Sequence, residues 1–152
     1  MTYGEAFMTD VALSEEPRKW QSRIGYCPQG DALLGKLDAY ESLYLIGRLR
    51  GVPEKSLPDI VSQIIEITGL QEYAGKRCDY YSSIPICFIS IHRRFASAGN
   101  KRKLSVAIAL IGLPGVVFLD EPYGGVDVLA RTRIHKGLTA IKESAKCSIS
   151  GH

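Results

Sequence analysis

Val116-Val117-Phe118-Leu119-Asp120-Glu121-Pro122 decides how the chain is read. Four consecutive apolar residues, β-branched and aromatic, predict a short buried strand of the parallel kind. Two carboxylates directly after such a strand are costly unless a cation or a polar ligand meets them. Downstream, Leu129, Ile134, Leu138 and Ile141 outline a helix, and Cys147-Ser148-Ile149-Ser150 starts another strand. A strand, a helix and a second strand predict an α/β fold with part of a parallel sheet. In such sheets ligands bind beyond the carboxyl ends of the strands, where Asp120 and Glu121 stand.

Working upstream, a helical pattern runs from about Asn100 to Ile111, with Leu104, Ala107, Ile108 and Ile111 on one side. Lys101, Arg102 and Lys103 on that helix read as a solvated face. Asp38 and Glu41 have the spacing of a capping box, and Leu43, Ile46 and Leu49 recur at helical intervals until Gly51. Ser56, Pro58 and Asp59 open a further helix whose face is Ile60, Ile64 and Ile67, and Gly69 ends it. Before Ile24 the short apolar pieces Ala6-Phe7-Met8 and Val11-Ala12-Leu13 predict strand and loop fragments.

Composition narrows the class. The 152 residues are 45% hydrophobic and 23% charged, as in a soluble globular domain. A net charge of +3 is too small to argue for nucleic acid. Cys27, Cys78, Cys87 and Cys147 form no C-x-x-C pair, so reduced thiols are expected. No apolar run reaches the roughly 18 residues of a membrane span, and Met1-Thr2-Tyr3-Gly4-Glu5 lacks the pattern of a signal peptide.

Asp120-Glu121 after an apolar strand is the Walker B arrangement of nucleotide-hydrolysing proteins. The first carboxylate holds Mg²⁺ and the second polarises the attacking water. The same pair also serves simply to cap a following helix. The complementary phosphate loop, G-x-x-x-x-G-K-[ST], has one near-match in Gly30-Asp31-Ala32-Leu33-Leu34-Gly35-Lys36-Leu37. It fails because Leu37 has no hydroxyl for Mg²⁺ and Asp31 puts a negative charge where phosphate would lie.

Three further stretches carry a resemblance. Ile24-Gly25-Tyr26-Cys27-Pro28-Gln29 with Asp31-Ala32-Leu33 looks like a glutamine loop. Ser97-Ala98-Gly99-Asn100-Lys101-Arg102-Lys103-Leu104-Ser105 looks like a signature motif. Phe118-Leu119-Asp120-Glu121-Pro122 with Gly125-Val126-Asp127 looks like Walker B followed by a D-loop. In order and wording the set resembles the nucleotide-binding domains of subfamily A ATP-binding cassette transporters, which move lipids.

The resemblance implies a partial P-loop NTPase fold with a parallel sheet core and a helical signature subdomain, lacking the N-terminal Walker A part. Residues 1–152 would be one partial cassette, with 38–112 the helical and signature region and 113–152 running from Walker B to the switch. It implies ATP and Mg²⁺ as cofactors, Asp120 and Gln29 at the metal, and Glu121 as general base. Ser97, Gly99 and Asn100, at the start of a helix with free N–H groups, would face the ATP held by an opposite cassette. Asp127 would contact that cassette, and His152, in the closing Ser150-Gly151-His152, would be the switch histidine. His92 and His135 read as surface residues. Expected partners are transmembrane domains and a second nucleotide-binding domain, with lipid met only through the parent and no nucleic acid. The expected location is the cytosolic face of a membrane.

Two departures stand out. Without a Walker A, little ATP binding by this chain alone is expected. In addition, residues 84–97 separate Tyr80-Tyr81-Ser82-Ser83 from Ala98-Gly99-Asn100, an atypical insertion after which Ser97 replaces Ser83 as signature serine. That segment is apolar and β-prone. The alternative reading is a non-catalytic fragment or partner module that lends its signature face to an intact cassette.

Overall fold

Asp38 starts the first long helix by a reciprocal bond. Its Oδ1 accepts from the Glu41 amide at 2.8 Å, and its own amide donates to Glu41 Oε2 at 3.0 Å. The helix runs over Ala39–Leu49. A second, Leu57–Thr68, has proline in its first turn and ends at Gly69, whose φ of 67° is the left-handed cap that glycine takes without steric cost.

The computed structural model describes residues 4–8, 11–78, 91–145 and 148–151, without the side chains of 91–97, 144, 145, 148, 150 and 151. In chain order the elements are β1 (Phe7–Met8), β2 (Val11–Ala12), α1 (Pro17–Ser22), β3 (Ile24–Cys27), α2 (Ala39–Leu49), α3 (Leu57–Thr68), α4 (Ile91–Leu110), β4 (Val116–Leu119), α5 (Val128–Ala145) and β5 (Ser148–Gly151). Tyr80 to Ser83, residues 84–90 of the expected insertion, and His152 lie outside the described residues.

The sheet core is β3-β4-β5, all parallel, while β1 and β2 form a separate antiparallel pair. The strand β3 was not predicted, its residues having been read only as part of the glutamine-loop stretch Ile24–Gln29. α1 stands where strand and loop pieces were expected, because Pro17 fixes a helical φ and the Trp20 indole N–H anchors the turn on the Val11 carbonyl at 3.0 Å.

Both crossovers, β3 to β4 and β4 to β5, step across the sheet in the same direction. Right-handed crossovers of that kind put their helices on one face. Gly25, Cys27, Val117 and Leu119 accordingly point into the core, with α4 packed on β3 and β4. A Cβ on Gly25 would run into the Ala109 carbonyl, so the closeness of α4 to β3 requires glycine there. On the other face Tyr26 and its register partner Phe118 remain 57% and 42% exposed. The apolar run 116–119 is therefore buried on one face only.

α4 is the central helix, touching α2, α3, β3 and β4. It runs from Ile91, not from near Asn100, so 91–97, the second half of the segment read as apolar and β-prone, are helical.

Candidate functional site

The parallel register assembles the site. Cys27 pairs with Leu119, so Pro28-Gln29 and Asp120-Glu121 leave adjacent strands side by side. The Asp120 amide donates to the Cys27 carbonyl at 3.0 Å and adds one last rung to the ladder. Asp120 is half-buried, whereas Gln29 and Glu121 are exposed. On the other edge of β4, Leu119 pairs with Gly151. His152 follows in sequence and lies outside the described residues.

Glu121 has φ 45°, in the left-handed region that non-glycine residues avoid at a cost of about 1–3 kcal/mol. Two bonds hold it there. Its carbonyl accepts from the Gly124 amide at 3.0 Å and from Arg102 Nε at 2.9 Å.

Arg102 corrects the reading of Lys101-Arg102-Lys103 as a solvated face. Arg102 is only 4% exposed and Lys103 8%. Arg102 Nη1 donates to the carbonyls of Pro28 and of Gln29, the latter at 3.1 Å, while Nη2 is buried and finds no acceptor among the described residues. Arg102 Nη1 also lies 3.8 Å from Asp31 Oδ1, which accepts from Ser105 Oγ at 3.1 Å. One signal in the sequence was available. Arg102 falls on the same helical stripe as Val106 and Ala109, both fully buried against the core.

The near-match at Gly30–Leu37 forms no phosphate loop. Asp31 is turned toward α4, and the helix that follows begins only at Ala39, with the Asp38 carboxylate already on its N-terminus.

Gly99 and Asn100 are buried inside α4, and Ser97 lies on its backbone with its side chain outside the description. The expected helix start, with free N–H groups at 97–100, is therefore absent. The helix continues back to Ile91, and amides inside a helix donate to the carbonyl four residues earlier. Gly99 instead makes a close approach. A Cβ there would sit 2.6 Å from the Gly125 carbonyl oxygen.

Asp127 caps α5, its Oδ1 accepting from the Ala130 amide at 2.8 Å, and its Oδ2 lies 3.5 Å from Lys103 Nζ. The Ala130 amide first, and the Lys103 ammonium after it, hold the Asp127 carboxyl below the usual aspartate range. Beside it opens a cleft of about 1090 Å³, lined among others by Asn100, Lys103, Gly125, Asp127, Leu129 and Arg133. Leu129, which lines it, is exposed, as is its neighbour in sequence Val128. Beneath the Gln29 turn, burial pushes the Cys27 thiol up in pKa against the opposing pull of Arg102, and Cys27 and Cys78 are free thiols. His135 is exposed, its Nδ1 3.4 Å from the Tyr123 hydroxyl.

The sequence is 39% identical over 149 residues to the human phospholipid-transporting ATPase ABCA3, an alignment covering 98% of this chain and 8% of that protein. It is 43% identical over 130 residues to human ATP-binding cassette sub-family A member 2, covering 86% of this chain and 5% of that one. The chain belongs to subfamily A of the ATP-binding cassette proteins. It spans less than a tenth of these subfamily A relatives. The fold agrees. The dimeric bacterial ABC transporter cassette MJ0796 superposes with a TM-score of 0.75 at 16% identity, covering 99% of this chain and 62% of that one. The ATP-binding subunit of another ABC transporter superposes with a TM-score of 0.70 at 20% identity, over 95% of this chain and 55% of that one. No protein-family model matches the sequence. The chain is thus a subfamily A cassette sequence with a parallel sheet core and a helical layer, and no described helix is long and apolar enough to cross a membrane.

Proposed function

We propose that the chain supplies the glutamine, signature, acidic-pair and D-loop parts of the ATP-binding cassette of a lipid transporter. The observation that carries this reading is the register of β3 on β4, which sets Gln29 beside Asp120 and Glu121 at the carboxyl ends of neighbouring parallel strands. Glu121 is the general base, its exposed carboxylate presented by the left-handed turn. Asp120 and the Gln29 side chain offer hard oxygen donors. Among the described residues no group of three acidic, histidine or cysteine side chains forms a cation cage. Hard oxygen donors of this kind suit Mg²⁺, which takes most of its ligands from water and phosphate. When bound, ATP–Mg²⁺ would supply the transferable phosphoryl group and neutralise its charge.

Ser97, Gly99, Asn100 and Asp127 belong to the side that meets a second cassette and its nucleotide, the last three through the cleft they line rather than through free helix amides, and His152 is the switch histidine. The Gly99 and Gly125 contact supports joining the signature and D-loop in one surface. Residues 84–97 are an insertion between the helical part and the signature, within the 38–112 region, and 113–152 carries the acidic pair to the switch. The partners are transmembrane domains and a second cassette at the cytosolic face of a membrane, with lipid reached only through them and nucleic acid not involved. Support comes from relatives named as phospholipid-transporting ATPases, and from a solved cassette of this fold bound to ADP and Pi. A second reading is a non-catalytic module that lends its signature face, on the side where Gly99 meets Gly125, to an intact cassette.

The test mixes this chain with an intact subfamily A cassette that has its own phosphate loop, and follows association by sedimentation and hydrolysis by phosphate release. Association in ATP–Mg²⁺ but not ADP, lost in Ser97→Arg, supports both readings. Hydrolysis that falls in Glu121→Gln, with association kept, selects the catalytic one. No ATP-dependent association overturns both.

A further inference from the structure

Beyond the Asp120 amide bonded to the Cys27 carbonyl, no backbone hydrogen bond among the described residues joins the Gln29 turn to the Glu121 turn. The two segments that bear the proposed chemistry diverge from the sheet there. Among the described residues one side chain spans the gap. Arg102 gives Nε to the Glu121 carbonyl and Nη1 to the carbonyls of Pro28 and Gln29. We propose that Arg102 is a positioning residue that continues the β3–β4 ladder by its guanidinium, so that the Gln29 turn and the Glu121 turn move as one unit.

Four features support this role. The guanidinium is a rigid planar fork, so its donors cannot follow one loop while staying on the other. At 4% exposure no water replaces a lost carbonyl, and a buried charge stripped of its acceptor is strongly disfavoured. Nη2 has no acceptor among the described residues, so a carbonyl lost from the other donors would leave the buried guanidinium still less matched. Finally, the Glu121 carbonyl it holds belongs to a residue with φ 45°, a conformation that relaxes unless something fixes it. All three acceptors are main-chain atoms, so the tie sets where Gln29 and Glu121 start, whatever their side chains then do. It rests on the proposed roles of those two residues for its consequence. A shift of the Gln29 turn would carry the general base with it.

Hydrogen exchange of the 152-residue chain tests the tie without nucleotide. In Arg102→Gln, amides of Gln29 to Asp31 and of Gly124, which donates to the Glu121 carbonyl, are expected to exchange about tenfold faster, with α2 and α3 unchanged. Arg102→Lys is expected to behave as Arg102→Gln, because an ammonium cannot bridge both loops. Asp31→Asn, which weakens the Ser105 bond at the far side of the turn, is expected to speed Gly124 as well, and to add nothing at Gly124 when combined with Arg102→Lys. A merely packing or charge role predicts that Lys restores the wild-type rates, or that exchange rises throughout α2 and α3. Either result overturns the tie, as does a response in only one loop. Should Arg102→Gln fail to fold, Asp31→Asn alone decides, since an unmoved Gly124 amide refutes the coupling. None of these rates involves ATP, so their failure leaves the proposed function standing, and failure of the nucleotide test leaves the tie standing.

Discussion

The α2–α3 layer and the ends of β3 and β4 are built by different rules. In the layer each helix carries its own instructions: a capping box at Asp38, a proline in the first turn of α3, a left-handed glycine after it, and apolar stripes on α4. At the strand ends local bonds fix less: the Gly124 amide closes the Glu121 turn, but nothing local brings the two turns together. Gln29, Asp120 and Glu121 meet because two strands distant in sequence pair in register, and because an arginine from a helix reaches both turns. Short-range order in one region and long-range order in the other make them respond differently to substitution.

Leu104 lies fully buried on α4, within the one core that both regions share. Leu104→Ala is expected to cost about 2–5 kcal/mol in denaturant unfolding and to lower both regions in one transition. Two separate transitions, seen by probes in α2 and beside β4, would break the claim that the regions share a core.

Glycines sharpen the contrast. Gly99→Ala drives a methyl toward the Gly125 carbonyl 2.6 Å away and is expected to destabilise by about 1–3 kcal/mol. Gly75→Ala, beyond α3, meets nothing within 4 Å and is expected to stay within about 0.5 kcal/mol of wild type. Equal effects in thermal melts would mean that the signature and D-loop contact is not tight.

Asp38→Ala removes a purely local device and is expected to cost about 1 kcal/mol, lost from α2 first in hydrogen exchange. The smallest effect is at Asp127. Its carboxyl is held below the usual range in the folded state, so its charge stabilises the native form at all pH values above about 4. That contribution disappears as the pH falls through the depressed native value. With a side chain 62% exposed, screening leaves a few tenths of a kcal/mol. Asp127→Asn, still a good cap, is expected to narrow the difference in Tm between pH 7 and pH 3 slightly. A widened difference would reverse the sign of the Lys103 and Ala130 contributions.

Legibility in the amino-acid sequence follows the same division. The caps of α2 and α3, the strand at 116–119, the helix after it and the strand beyond were legible because each rests on residues a few positions apart. The acidic pair and Gln29 were legible as a pattern of motifs. Arg102 and Lys103 were misread, because charge in a sequence suggests solvent and only packing shows a helix enclosed on nearly every side. The start of α4 was misplaced for a related reason. Residues 84–97 were read together as apolar and β-prone, whereas their second half holds His92, Arg93 and Arg94 and continues the enclosed helix.

The sequence by itself determined the family, the parallel α/β class and the local helix signals, since motif order and short-range spacing survive without coordinates. Only the tertiary structure decided that β3 joins β4, that one sheet face stays open at Tyr26 and Phe118, and that a buried guanidinium holds the Glu121 turn. Those outcomes depend on contacts between residues far apart in the chain, where burial overrides the solvent preference of an individual side chain.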